Sequence, residues 1–152
     1  MSEVRGSSKQ VLCLVVGLLV FILAGPSRPA FGQNKSEKAV TVIITDGQGL
    51  ETELRNAVFY WEEKVSETAF VPHELKHVPV KRGSATINVK FDAIKTIDVK
   101  SGAENTLPLL VIALVNGNSA EFSLALPGSF KGLSDFGETE LPVTAIRKIL
   151  FK

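Results

Sequence analysis

The segment Phe91-Asp-Ala-Ile-Lys-Thr-Ile-Asp-Val-Lys100 aligns without gaps on Val143-Thr-Ala-Ile-Arg-Lys-Ile-Leu-Phe-Lys152, at an offset of 52 residues. The Ala, both Ile and the final Lys are kept, and a basic residue follows the first Ile each time. Two halves that close in the same way point to an internal duplication, which restricts the fold to two copies of one small unit sharing a core. The copies also open alike. Ala39 to Thr45 leads through Asp46-Gly47-Gln48-Gly49 into Leu50 to Trp61, and Leu109 to Val115 leads through Asn116-Gly117-Asn118 into Ser119 to Leu126. β-rich runs flanking Asp-Gly or Asn-Gly read as hairpins.

Alternation settles the element type. Leu50, Thr52, Leu54, Asn56, Val58 and Tyr60 fall on one face of the first return strand, with Glu51, Glu53, Arg55, Ala57, Phe59 and Trp61 on the other. Ala120, Phe122, Leu124 and Leu126 share a face of the second. A period of two means strand. Outside the first 32 residues the nearest approach to a helical stretch is Glu62 to Thr68, which is too polar to dock. The turns Asp46-Gly47 and Asn116-Gly117 are 70 apart, so the first copy holds 18 residues more than the 52-residue offset, placed within Glu62 to Arg82. The expected fold is all-β: two β-meander pseudo-repeats forming a small barrel or a sandwich. Repeat one is 39–100 with an insertion at 62–82, and repeat two is 109–152. Ile94, Ile97 and Val99, and likewise Ile146, Ile149 and Phe151, are the expected buried positions.

Gly137 to Leu141 is a short alternating strand, and Pro142 to Ala145 reads as a tight turn because proline cannot continue the pairing. Ile146 to Phe151 is a further strand. This closure, a glycine, a short strand, a turn and then Ile-x-x-Ile-x-Phe, resembles the end of small SH3-like or Sm-like β-barrel repeats of exported bacterial proteins of unknown function. The resemblance covers segments 85–100 and 137–152. It implies an all-β fold and carries no catalytic residue over.

Residues 1–32 read as a signal peptide. Arg5 and Lys9 precede the apolar run Val11 to Ala24, closed by Gly25-Pro26, and Ala30-Phe31-Gly32 places small residues at −3 and −1 of a cut before Gln33. The alternative is an uncleaved helix anchoring the chain to the membrane, for which the run is shorter than the roughly 20 residues a span needs. A polar spacer, 33–38, follows. Localisation is therefore expected to be exported, periplasmic or extracellular, with no membrane insertion after cleavage.

Charge and cysteine content exclude several functions. The chain has 17 Lys+Arg against 16 Asp+Glu, and its only Cys, Cys13, lies in the leader. A near-neutral exported domain has no global field to gather nucleic acid. It also has no disulfide, thiol nucleophile or cysteine metal site.

One string looks catalytic. His73-Glu74-Leu75-Lys76-His77 is a literal H-E-x-x-H, which on a helix sets two imidazoles on one face for zinc, with the glutamate activating a metal-bound water. It looks like the active-site helix of zincin metallopeptidases, but Pro72 and Pro79 leave room for a single turn. The exported part has no further histidine, so Glu104 or Glu121 would have to complete the ligand set. The competing reading is an exposed connection that becomes extended by Val78. Phe59-Tyr60-Trp61 holds the chain's only Tyr and only Trp. Such rings can stack on sugars, although neighbours on a strand face opposite ways and share a platform only if a bulge intervenes. Lys81 and Arg82, with Lys76 and His77, form a small basic patch, and Asp135, Glu138 and Glu140 form an acidic stretch without calcium-loop spacing.

The leading expectation is a non-enzymatic exported β-domain that binds a protein or envelope component through sheet edges or the insertion, with no catalytic residue and no cofactor. Its candidate binding surface comprises Tyr60, Trp61, Lys76, Lys81 and Arg82. The alternatives are a small zinc peptidase using Glu74 with His73 and His77, and a carbohydrate-binding module.

Overall fold

The computed structural model describes residues 38–152. The expected signal peptide and cleavage position, Cys13 and the expected spacer up to residue 37 lie outside the described residues. Eleven strands follow in order: β1 (Val42–Asp46), β2 (Glu51–Lys64), β3 (Phe70–Leu75), β4 (His77–Arg82), β5 (Ala85–Lys90), β6 (Ile94–Lys100), β7 (Leu109–Leu114), β8 (Ser119–Leu124), β9 (Ser129–Ser134), β10 (Gly137–Pro142) and β11 (Ile146–Phe151). The only helical turns among the described residues are two 3-10 turns, Phe91–Ala93 and Val143–Ala145, each joining a short strand to the closing strand of its copy. Pairing is antiparallel throughout.

The strand order is β10-β9-β2-β1-β11-β6-β7-β8-β4-β5, with β3 added to β2. The order is a palindrome. Exchanging β1 with β7, β2 with β8, β4 with β9, β5 with β10 and β6 with β11 maps the path onto itself. The pseudo-twofold passes through the β6–β11 pair, where Ile97 sits opposite Ile149, Asp98 opposite Lys148 and Thr96 opposite Leu150. Both isoleucines are fully buried, at the equivalent positions the repeat implies. Two ion pairs obey the same symmetry: Lys152 to Glu53 and Lys100 to Glu121, each at 2.7 Å.

Each half of the sheet mixes the copies. β1 and β2 of the first copy lie between β11 and the β9–β10 hairpin of the second, while β7 and β8 of the second lie between β6 and β4–β5 of the first. Neither copy completes a half by itself. A closed barrel is not formed, because β5 and β10 end the path without pairing to each other. Apolar side chains from both copies make one core, in which Phe91 lies 6.0 Å from Phe130 and 5.3 Å from Phe151 and Phe59 meets Phe130 edge-on.

Three expectations are corrected by the backbone. Alternation along β2 breaks at Asn56, which adopts φ 53° in a bulge between Arg55 and Val58, so the buried face passes from Leu54 to Ala57 and Phe59 instead of to Val58. One extra residue on a strand moves all later side chains to the other face. The hairpin turns correspond through Gly49 and Gly117, both at positive φ and both donating back to the residue three earlier, Asp46 or Leu114. Those glycines are 68 apart rather than 70, which sets the extra length of copy one at 16 residues rather than 18. The insertion is exposed as expected but is a paired strand rather than a connection: the far end of β2 pairs with β3, Phe59 opposite Leu75 through Lys64 opposite Phe70, and β4 already belongs to the repeat as the counterpart of β9.

Candidate binding surfaces

The first surface sits at the base of the inserted hairpin. Beyond the Asn56 bulge, Trp61 faces the core side and packs against it, while the neighbouring Tyr60 faces the other way. Tyr60 donates to Glu62 Oε1 at 2.6 Å, and Lys131 Nζ lies 5.0 Å from its ring centroid. That hydrogen bond, followed by partial desolvation, raises the Tyr60 hydroxyl above its ordinary range; a hydrogen bond to Glu138 raises Lys131 likewise. Both rings nevertheless line one groove of about 500 Å³, which is also lined by Phe70, Pro108, Pro127 and Pro142. Its carboxylates are Glu62 and Glu140. Trp61 Nε1 is buried without a hydrogen-bond partner, so an indole donor is left unused beneath this groove.

The metallopeptidase-like string falls on two strands joined by a bend. His73 lies in β3 opposite Trp61, its ring stacked on the indole at 4.6 Å and its Nε2 3.0 Å from Glu63 Oε2. Glu74 is exposed opposite Tyr60, and His77 opens β4 opposite Lys90, beyond the bend at Lys76. Pairing with β2 holds this segment extended from Phe70 rather than only from Val78. Neither proline prevents it. Pro72 is on a strand paired on one side, and Pro79 in β4 uses its carbonyl to accept from Ala125 N–H. Of the suggested third ligands, Glu104 lies in the connection between β6 and β7, and Glu121 is engaged with Lys100. Among the described residues no three His, Cys, Asp or Glu are placed to hold a metal together.

The basic candidates separate. Lys76 reaches back to donate to the Ala57 carbonyl at 3.2 Å and is half-buried. Lys81 and Arg82 are exposed at the end of β4. Arg82 borders the second surface, a cleft of about 660 Å³ between β5 and the β7–β8 hairpin. Ile87, Val89, Ile112, Leu114 and Phe122 form its apolar walls, with Arg82 and Lys90 at its margin. No carboxylate lines it. Sequence reasoning did not single out Ile87, Val89 or Phe122 as a site. The available signal was the composition of Ala85-Thr-Ile-Asn-Val-Lys90, a strand with no charge before its last residue.

The acidic stretch is largely compensated. Glu138 pairs with Lys131, and Asp135 approaches Arg55 at 3.5 Å.

No curated protein and no solved structure matches the chain. Residues 36–152 match the model of a family described as "Uncharacterised protein", and the chain belongs to that family.

Proposed function

We propose that the chain is an exported, non-enzymatic β-domain that binds a protein or envelope component through its sheet edge. The observation that carries this reading is the open end of the sheet at β5, a strand paired only with β4 among the described residues and lying beside an apolar cleft of ligand-binding size. The strand, 3-10 turn and strand closing each copy fit the likeness to SH3-like or Sm-like modules, and a cleavable leader would deliver the domain to the periplasm or beyond. An uncleaved leader would instead hold it at the membrane. Photo-crosslinking in the native host tests the reading, with benzoylphenylalanine at Thr86 on β5 and, as the control, at Glu138 on β10. A defined adduct from Thr86 and none from Glu138 supports it. Absence of any adduct from Thr86 overturns it.

A second reading has its own observation: Tyr60 and Trp61 line one groove although they face opposite ways along the strand. A carbohydrate-binding role would then make Trp61→Ala abolish retention on an envelope glycan array that wild type binds.

A further inference from the structure

The two ends of the sheet are equivalent in the fold and opposite in chemistry. From Ser129 to Pro142 the β9–β10 hairpin carries Lys131 against Asp135, Glu138 and Glu140, whereas from His77 to Lys90 the β4–β5 hairpin carries Lys81, Arg82 and Lys90 and no carboxylate. On β10 the outward positions are Glu138 and Glu140, and Pro142 has no N–H to offer a neighbour. Charges and proline on an edge are the usual means of keeping other strands away. The matching positions on β5 are Thr86, Asn88 and Lys90, and its inward positions Ile87 and Val89 open on the cleft. Lys81, Arg82 and Lys90 make no ion pair with another described residue, while Glu138 and Asp135 already have partners. A second copy's β10 is therefore a poor complement to β5, since Glu138 is already held by Lys131 and Pro142 has no N–H to pair.

We propose that β5 receives an extended acidic segment of a partner protein as an added strand. This rests on the binding-module reading and names the class of partner. Main-chain hydrogen bonds to the free edge would supply affinity. Apolar side chains at every second position of the incoming strand enter the cleft against Ile87, Val89 and Phe122, and the carboxylates between them share the face of Lys90. Arg82, on the cleft face opposite Ala85, meets the acidic end of the segment. An anionic amphiphile would satisfy the cleft and the cations but would leave the unpaired edge unused. The peptide accounts for all three.

The test uses the full-length protein purified from its host and a labelled ten-residue peptide alternating Val and Glu. The expected result is saturable binding that slows amide exchange across Ala85 to Lys90 and weakens as salt is raised. Arg82→Glu and Lys90→Glu should each weaken it by about tenfold or more. Both side chains are at the surface, and unchanged exchange in β6 and β11 shows that the variants are folded. The proposal is overturned if the counterpart peptide with Lys for Glu binds equally well, or if binding leaves β5 exchange unchanged. It is equally overturned if dodecanoate or phosphatidylglycerol vesicles occupy the cleft while the peptide does not. If Thr86 captures a native partner by photo-crosslinking but the Val/Glu peptide fails to bind, the acidic class falls and the binding module stands.

Discussion

The β4–β5 and β9–β10 hairpins show which parts of a duplicated β-domain are held fixed and which drift. Both lead through a 3-10 turn into a closing strand, and both accept the amide of the turn's first residue on an equivalent carbonyl: Phe91 N–H donates to Lys76, and Val143 N–H to Gly128. Toward the pseudo-twofold the copies agree in register, burial and even in the Glu53–Lys152 and Glu121–Lys100 ion pairs. Toward the sheet ends they diverge in charge, in edge protection and in what lies behind them. Interior positions near the axis must satisfy two copies at once, so a change there disturbs both halves. An edge strand answers to one neighbour only.

The largest expected effect tests the interleaving. If each half of the sheet needs strands from both copies, residues 39–104 and 105–152 expressed separately should each fail to fold, with no cooperative thermal transition by circular dichroism. Mixing them should restore one. A folded single copy would show that the halves are independent and that the exchange of hairpins is incidental.

At the axis the prediction is quantitative. Ile97→Ala and Ile149→Ala should each destabilise by about 2 to 5 kcal/mol, because each deletes a fully buried side chain and leaves a cavity. Since the two face each other across β6 and β11, the double variant should depart from additivity by about 0.5 kcal/mol or more in urea unfolding. Lys95→Ala and Arg147→Ala, exposed beside them, should stay within about 0.5 kcal/mol. Unequal costs at the two isoleucines would weaken the symmetry.

Gly128 sharpens the comparison where the copies differ. Its counterpart is Lys76, but the extended β2 of copy one brings the Phe59 ring and the Tyr60 carbonyl against Gly128, where a Cβ would stand 2.8 Å from both Phe59 Cε1 and the Tyr60 oxygen. Gly128→Ala should therefore cost about 1 to 3 kcal/mol by overpacking. Lys76→Ala should cost about 0.5 to 1.5 kcal/mol through its lost hydrogen bond to Ala57. Thermal midpoints of the two variants make the measurement.

The parts of this fold that were legible in sequence are those where local pattern and burial agree. The repeated Ala-Ile-x-x-Ile segment announced both the duplication and the buried isoleucines, and Pro142 marked the turn before β11. The extent of the insertion was not legible. Glu62 to Lys64 and Phe70 to Leu75 are mostly exposed, so their pairing leaves no strong apolar alternation to read. The Asn56 bulge was hidden for a related reason: an asparagine at positive φ looks like any polar residue on a strand's outer face. Its consequence reached the candidate surface, because the phase change decides which way Tyr60 and Trp61 point. The β5 cleft escaped notice because no residue in it is chemically unusual. It becomes visible only when β5 is set against β10.

The smallest expected effect concerns the symmetric ion pairs. The hydrogen bond from Lys152, and then the charge of that ammonium, hold the Glu53 carboxyl below its ordinary value of 4.5. A carboxyl whose folded-state value is depressed adds stability above its unfolded value and loses that contribution as pH falls through the folded one. Wild type should thus lose a little stability on acidification below about pH 4.5, and Lys152→Gln should lose less over the same interval. Both side chains of the pair are about half exposed, so solvent and salt screen the effect, and high salt should nearly erase the difference. A carboxyl-resolved NMR titration provides the direct check: the Glu53 midpoint should lie below the ordinary value in wild type and move up toward it in Lys152→Gln. A midpoint that does not move would mean that the Lys152 contact is geometric coincidence, and the matching Lys100–Glu121 pair would then lose its standing as a preserved trace of the duplication.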